Sequence, residues 1–486
     1  MRSLSSSLAR GVLAALWLPI VTSAQSAAPV YRPGQLNADQ QLAHAVYKEL
    51  VEINTSVTTG NITTAAVAMA RRLREAGVPE ADIFVGGPRP EKHNLVARLR
   101  GTRGAAAGKP LLLLAHIDVV EALPEDWSPE FPPFKFTERD GYYYGRGTAD
   151  DKAMAAIFVA NVFRMKREGW VPERDIILAL TADEESGPFN GVDWLLKNHR
   201  DKMEAEWVIN EGGGGTHRNG KVLFNTVQAA EKVTTNFTLQ VTNKGGHSSV
   251  PRDDNAITQL ADALAKVGRY RFPVHLSEIT REFFTKSSSE EEPALGRAMR
   301  AIVANPKDPA ALRVLSADPR YNSMLRTSCV ATELKGGHAT NALPQLAEAN
   351  INCRIYPTES AEQVRDSLKR IISDTGVKVL IRSQRPPSPA TKLLDEVMDP
   401  IRRITKEMWG DIPVIPTMST GATDSRFFRA LGVPAYGVSG LFSDPAVDAR
   451  AHGRDERMRA QSFFEGHEFL YRLTKALAGP RRPVSN

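Results

Sequence analysis

The chain reads as an α/β protein: a catalytic domain with a largely parallel central sheet flanked by helices, interrupted by an inserted ferredoxin-like βαββαβ unit. Three observations predict this. Short apolar runs alternate with helical patterns from residue 38 to about 229, the order changes at about 230 to strand, helix, strand pair, helix, strand, and the first texture resumes at about 386. Alternation of the first kind builds parallel sheets with helices on both faces, and the second order is a two-layer unit of its own. At 486 residues the chain is too long for one small core. The division is therefore 30–229 with 386–480 for the catalytic domain and 230–385 for the inserted lid.

In the first domain "ADQQLAHAVYKELVEI" and "TAAVAMARRLREAG" carry helical periodicity, and "NLVARLR", "PLLLLAHIDVV", "DIILALTADEE" and "AEWVIN" are short apolar runs bounded by turn residues, the signature of strands. "KAMAAIFVANVFRMKREG" is a helix that begins directly after Asp150 and Asp151, where Asp151 is placed to act as its N-cap. In the lid, "TTNFTLQVTN", "TSCVATELKGG", "AEANINCRIYP" and "VKVLIRS" read as strands, and "NAITQLADALAKVG" and "SAEQVRDSLKRIISDTG" as helices. The stretch 277–323 is extra, helical and rich in Ala and charge. The last segments are "LLDEVMDPIRRITKEMWG", "VPAYGVSG" and the closing helix "RAQSFFEGHEFLYRLTKAL".

Composition narrows the class. An apolar fraction of 42% and a charged fraction of 24% are those of a soluble globular protein. The first 24 residues read as a secretory signal peptide: Arg2 and Arg10, the apolar run "GVLAALWLPIV", then small residues before a cleavage after Ala24. The expectation is an exported protein, periplasmic or secreted, with no membrane anchor, since no later run is apolar enough to span. Removing two arginines lowers the formal charge by two, from +6 to +4, and no Lys/Arg run interleaves with aromatics, so nucleic acid is not an expected partner. Cys329 and Cys353, the two cysteines, lie on neighbouring predicted strands and read either as one disulfide or as two buried thiols.

The chemistry is concentrated in a few short segments. His116 and Asp118 are two apart on a strand and leave the same face, so the carboxylate can orient the imidazole or add a ligand. Asp150 sits in the glycine-bracketed turn "YGRGTADDK". Glu184 and Glu185 end "LALTADEESG", Glu211 precedes four glycines that let something approach the backbone closely, and His452 stands beside Gly453. His116, the glutamate pair and Glu211 fall at carboxyl ends of strands, where sheets of this kind place their sites. Two imidazoles with several carboxylates form a nitrogen and oxygen ligand set suited to a pair of zinc ions, with cobalt or manganese also acceptable. Two such ions side by side can activate a water and polarise a carbonyl, leaving one glutamate as the base. Spacing alone does not say which one. There is no H-E-x-x-H, no G-x-S-x-G, and "GAAAGKP" fails as a P-loop.

With these segments in hand the chain resembles the di-zinc metallopeptidase family twenty, the group of aminoacylase, carnosinase-type dipeptidases, glutamate carboxypeptidase and carboxypeptidase S. "HIDVV", "GRGTADDK", "DEESG", "NEGGG" and "AHG" match the group's signatures in order. The resemblance implies that His116 and Glu211 bind one zinc, Glu185 and His452 the other, and Asp150 bridges them. It makes Glu184 the general base, Asp118 the partner of His116, and the Asp150–Asp151 peptide cis. "NKGGHSSVP" implies that His247 of the lid reaches a neighbouring subunit's site and stabilises the oxyanion, hence a homodimer through the lid. "GGHATNALPQ" with "NCR" implies Asn341 and Arg354 as substrate-holding residues, and "GATDSR" implies Arg426 as a carboxylate clamp. Two features depart from the pattern: Ala153 stands where glycine is usual, and the 277–323 insertion is similar to that of the larger carboxypeptidase-S-like members. The expected reaction is hydrolysis of a peptide or amide bond that frees an amino acid with its carboxylate, of carboxypeptidase or dipeptidase type, with an N-acyl amino acid as the alternative substrate. A noncatalytic zinc or peptide binder on the same scaffold is the rival of another class, and it would have no need of Glu184.

Overall fold

Strands Leu111–His116 and Ile176–Thr181 are apolar up to their last residue and buried throughout, as strands covered on both faces require. The computed structural model, which describes residues 30–480 except Ser186, places them at the centre of a ten-stranded sheet; the segment 1–24, read above as a signal peptide, lies outside the described residues. The strand order is Ile83–Gly86, Asn94–Leu99, Ile176–Thr181, Leu111–His116, Trp207–Asn210, Ala435–Gly437, Lys221–Glu231, Gly215–Arg218 and Phe442–Ser443, with Val414–Ser419 also pairing to Lys221–Glu231. The pairings of Leu111–His116 with both neighbours are parallel, as is that of Ala435–Gly437 with Trp207–Asn210.

Strand alternation divides the core into two layers. Leu111, Leu113 and Ala115 pack with helices Ala38–Glu52, Ile62–Glu75, Lys152–Arg167 and Ala460–Ala478, whereas Leu112 and Leu114 pack with Val192, Leu195 and Phe428 on the other face. The expected first helix begins where Asn37 and Gln40 form a capping box. Helix Lys152–Arg167 begins at Asp151 as expected, but the Asp151 side chain makes no capping hydrogen bond. It is buried instead, with Oδ2 lacking a partner, because the chain turns it under the site. The Asp150–Asp151 peptide is cis. Ala153 is fully buried in the same core.

The closing helix carries an acid-sensitive contact. His467 is buried, and desolvation followed by the charge of Arg164 lowers its pKa to about 4. The unfolded chain therefore binds this proton first, and folding stability falls as the pH drops from the unfolded value near 6.5 towards 4. Urea unfolding of His467→Gln is expected to show a shallower loss of stability across that window than the parent; an identical pH slope would contradict it.

The inserted unit is a four-stranded antiparallel sheet in the order Ser328–Gly336, Leu346–Ile355, Val233–Thr242, Val377–Gln384. Helices Ala256–Arg269 and Ala361–Ile372 cover one face through Leu260, Ala263, Val364 and Leu368, as the βαββαβ pattern predicts. Cys329 and Cys353 face each other across adjacent strands and form a disulfide. The 277–323 stretch behaves differently from its position in the sequence. Its helices Glu278–Ser287, Pro293–Ala304, Pro309–Ala317 and Pro319–Leu325 cluster around Phe284, Met299 and Leu315 and pack on Leu223, Phe224 and Ile415 of the large sheet. Amphipathic helices bury their apolar faces on an apolar surface, and here that surface belongs to the large sheet, while the lid strands keep Val330, Leu334 and Leu380 exposed.

Candidate active site

His116 ends its strand in the core, and its Nδ1 lies 3.0 Å from the backbone carbonyl of Asp118 and 3.5 Å from the Asp118 carboxylate. The carbonyl is thus the nearer partner, a refinement of the expected carboxylate contact. Nδ1–H donation to that carbonyl directs the Nε2 lone pair outward. The Asp118 carboxylate is engaged elsewhere: the backbone N–H groups of Glu184 and Glu185 donate to its Oδ1 and Oδ2, each at 3.1 Å. Asp118 thereby fixes the turn that presents the glutamate pair.

His116 Nε2 faces Asp150 Oδ1 at 3.0 Å, and His452 Nε2 faces Asp150 Oδ2 at 3.2 Å and Glu185 Oε1 at 2.9 Å. His116, Asp150 and Glu211 place one ligand atom each within 4.8 Å of one another, and so do Asp150, Glu185 and His452. The five residues therefore form two triads that share Asp150, one oxygen turned to each histidine. His452 holds a left-handed φ of 63° beside Gly453, which aims its ring back at the acids.

Electrostatics show that this donor set fits cations. A neutral imidazole nitrogen facing a carboxylate oxygen needs a proton or a metal between them. Hydrogen bonds to Asp150 and Glu185 push His452 up to about 10, and against the effect of burial, contacts with Asp118 and Asp150 hold His116 well above its usual value. Burial, together with nearby Asp150 and Glu184, raises Glu211 well above the carboxylate range. Such crowding of buried acids is relieved by bound positive charge.

Glu184 belongs to neither triad. Its side chain is 9% exposed, and desolvation followed by the charge of Asp424 raises its pKa well above normal. Arg426 is buried too, rather than presented at the surface: its Nη1 donates to the Thr423 carbonyl at 2.9 Å and lies 3.6 Å from Glu184 Oε1. Its guanidinium is thus directed at the glutamate and at Asp424, also 3.6 Å away.

The lid residues are arranged in two places. His247 is exposed on the two-residue pairing Gly246–His247 with Ala342–Leu343, and the adjacent Asn341 carbonyl accepts from Ser248 N–H at 3.0 Å. Ser249 N–H donates to His247 Nδ1 at 3.1 Å, so the neutral ring carries its hydrogen on Nε2. Among the described residues no hydrogen bond or ion pair joins His247 to either triad. Arg354 lies on a different row, where its Nη1 donates to Thr234 Oγ1 at 2.8 Å, in register with Ser328, whose Oγ accepts from the buried Lys232 at 3.2 Å.

Some contributors lie outside the expected set. Glu456 is buried and accepts from Ala149 N–H at 2.7 Å, Asp150 N–H at 3.2 Å and Arg146 Nη1 at 2.6 Å, which clamps the Asp150 turn to the His452 loop. It stands four residues after His452, inside a segment already prominent in the sequence, but its acceptor role depends on a partner 310 residues away. Asp424 accepts from Asn190 Nδ2 at 2.7 Å beside Glu184. The glycines after Glu211 do receive a close approach, but from the protein's own chain: a Cβ on Gly213 would lie 2.1 Å from the Gly437 carbonyl oxygen.

Residues 112–476 match the profile described as Peptidase family M20/M25/M40. The chain belongs to that family. Among M20 relatives it is 29% identical over 390 residues to human N-fatty-acyl-amino acid synthase/hydrolase PM20D1, covering 78% of this chain and 76% of that one. It is 30% identical over 382 residues to Probable carboxypeptidase S-like 2 of Dictyostelium discoideum, covering 76% and 71%. The M20 family metallo-carboxypeptidase Sso-CP2 from Sulfolobus solfataricus shares its fold, with a TM-score of 0.67 at 18% identity over 91% of this chain and 100% of that one. As an M20 member the protein is a metallo-hydrolase of amide or peptide bonds, and its paired triads are candidate sites for the metal.

Proposed function

We propose that the protein hydrolyses an amide bond and releases an amino acid with a free carboxylate, using two divalent cations, zinc by the nature of the donors. The observation that carries this is the division of six side chains: two triads sharing Asp150, and Glu184 beside them but in neither. His116 and Glu211 would hold one ion and Glu185 and His452 the other, with Asp150 between; such a pair would supply the positive charge that acidifies a water and polarises the scissile carbonyl. Glu184, in its buried setting, accepts the water's proton and returns it to the leaving amine. Arg426 steadies Glu184, Asp118 holds the turn, and Asn341 and Arg354 take the substrate's carboxylate end.

His247 donates through Nε2–H to the developing oxyanion of a partner subunit, so the lid mediates a homodimer. The hydrogen on Nε2, set by Ser249, supports this role. His247→Ala is expected to lower kcat by about 10²–10³ with metal content unchanged. Mixed with Glu184→Ala protein under conditions of subunit exchange, it should regain activity, because one hybrid site then has both groups; mixtures as inactive as the parents would end the shared-site reading.

N-acyl amino acids are the second substrate reading, supported by the 29% identity to a protein named as an N-fatty-acyl-amino acid synthase/hydrolase. A turnover screen over dipeptides and N-acyl amino acids, with zinc, cobalt and manganese supplied in turn, tests the function. Absence of hydrolysis across the panel by fully metallated protein would refute it. Export is proposed from the leader-like residues 1–24 and supported by the Cys329–Cys353 disulfide, which persists in oxidising compartments. Detection of the protein only in cytosol, with the thiols reduced, would contradict that.

A further inference from the structure

The turn that presents Glu184 is held at every residue. Ala182 N–H donates to Asn94 Oδ1 at 2.9 Å, Asn190 Nδ2 donates to the Asp183 carbonyl at 3.3 Å, and the Asp118 carboxylate accepts from the N–H groups of Glu184 and Glu185. One further contact is ionic. Lys92 Nζ donates to Asp183 Oδ1 at 2.8 Å, with both side chains buried, and to the Val57 carbonyl at 3.2 Å. The sheet brings the pair together: strands Asn94–Leu99 and Ile176–Thr181 are antiparallel with Leu95 opposite Leu180, and the same register carried past their ends sets Lys92 opposite Asp183. Among the described residues Lys92 is the one hydrogen-bond donor to that carboxylate, whose Oδ2 is buried without a partner.

Three observations make this pair more than a core contact. Asp183 holds a left-handed φ of 54°, a conformation that aspartate tolerates but that most side chains avoid. A buried ion pair adds little net stability over an apolar pair of the same shape, so stability alone does not account for an ammonium and a carboxylate here. Glu184, the next residue, receives no hydrogen bond on its carboxylate among the described residues, and its ion-pair partner Arg426 lies 3.6 Å away. The direction of that carboxylate is therefore set by the backbone that carries it. Val57 follows Ser56, which bridges to Val119 beside Asp118, so Lys92 also ties the turn to the segment that holds it from the other side.

We propose that Lys92 and Asp183 are positioning residues for Glu184, their ion pair fixing the left-handed turn from which the base is presented. The inference rests on Glu184 as the base in the reading above. Misplacing a reacting group by about 1 Å costs up to about 100-fold in rate, and the loss falls on kcat when substrate binding is untouched.

The test compares the metal-loaded parent with Lys92→Met/Asp183→Asn, with Glu184→Gln and with all three substitutions together, on whichever dipeptide or N-acyl amino acid the parent turns over fastest. Lys92→Met/Asp183→Asn removes both charges, so neither is left buried alone, and asparagine keeps the left-handed backbone accessible. It is expected to bind both metal ions, to keep KM within about threefold of the parent and to lose about 10–100-fold in kcat. Added to Glu184→Gln it should change the rate by less than about threefold, because residues that act through one group are not additive. Parental kcat per folded, metal-loaded site is the result of a purely structural role and overturns the proposal. So does an equal loss with and without Glu184, and so does a loss of metal, which routes the effect through Glu185. Should the paired variant fail to fold, Asp183→Gly answers the same question, since glycine takes this φ freely: a kcat loss at unchanged KM and metal content supports the ion-pair role, and parental kcat overturns it. A Glu184→Gln protein with near-parental kcat removes instead the reading of Glu184 as the base.

Discussion

Glu184→Gln is expected to lower kcat by about 10²–10⁴ while the protein keeps both metal ions. The substitution preserves shape and hydrogen-bonding capacity but cannot accept a proton. Because Glu184 stands outside both triads and is oriented from its backbone by Asp118 at 3.1 Å, metal stoichiometry and thermal midpoint should be those of the parent. Glu185→Gln is the informative contrast. Its Oε1 lies 2.9 Å from His452 Nε2, so its loss should deplete the ion held by that triad. Metal analysis with single-turnover kinetics on both variants separates the roles. If Glu184→Gln lost metal and Glu185→Gln kept it, the two glutamates would have to exchange assignments; if Glu184→Gln retained a tenth of the parent rate, another base would be at work.

The second large effect is structural in origin and reaches the site indirectly. Glu456→Ala removes the counter-charge of Arg146, which is 3% exposed, and withdraws the acceptor from the N–H groups of Ala149 and Asp150. A buried charge left without its partner costs about 3–5 kcal/mol. Loosening the turn that carries a shared ligand should weaken metal binding by roughly 10–100-fold, the usual consequence of losing a group that orients a ligand. Urea unfolding of the metal-free protein reads the first effect, and competition with a chelator reads the second. Glu456→Gln retains an acceptor but no charge and should fall between parent and Ala. A Glu456→Ala variant with parental stability and a metal affinity within about threefold of the parent's would show that the clamp has no part in holding Asp150.

Much of the site was legible because its parts are local. A short apolar strand ending in His116, a glycine-bracketed Asp150, an acidic pair on a turn and a His–Gly step each declare their geometry within a few residues, and the structure brings all five ligand candidates into two triads. The alternation of strands and helices was legible for the same reason: period-two and period-3.6 patterns are written over six to sixteen residues. What escaped were pairings between distant segments. Asp118 reads as a partner of His116 and lies 3.5 Å from that ring, but its second task, holding the Glu184–Glu185 turn 66 residues on, was not legible. Arg426 reads as a carboxylate clamp, and its buried position 3.6 Å from Glu184 was not legible. The helices of 277–323 read as part of the lid, yet their apolar faces meet Leu223 and Ile415 of the large sheet.

The amino-acid sequence by itself determined which side chains are the candidates for the chemistry, the order of the secondary elements and the separation into a large sheet and an inserted unit, since each depends on residue type and short-range period. Only the tertiary structure decided which oxygen of Asp150 faces which histidine, that Glu456 secures that aspartate from 306 residues away, and where the insertion packs. Those outcomes depend on burial and on hydrogen-bond geometry between strands and loops far apart along the chain, and no short window of sequence records them.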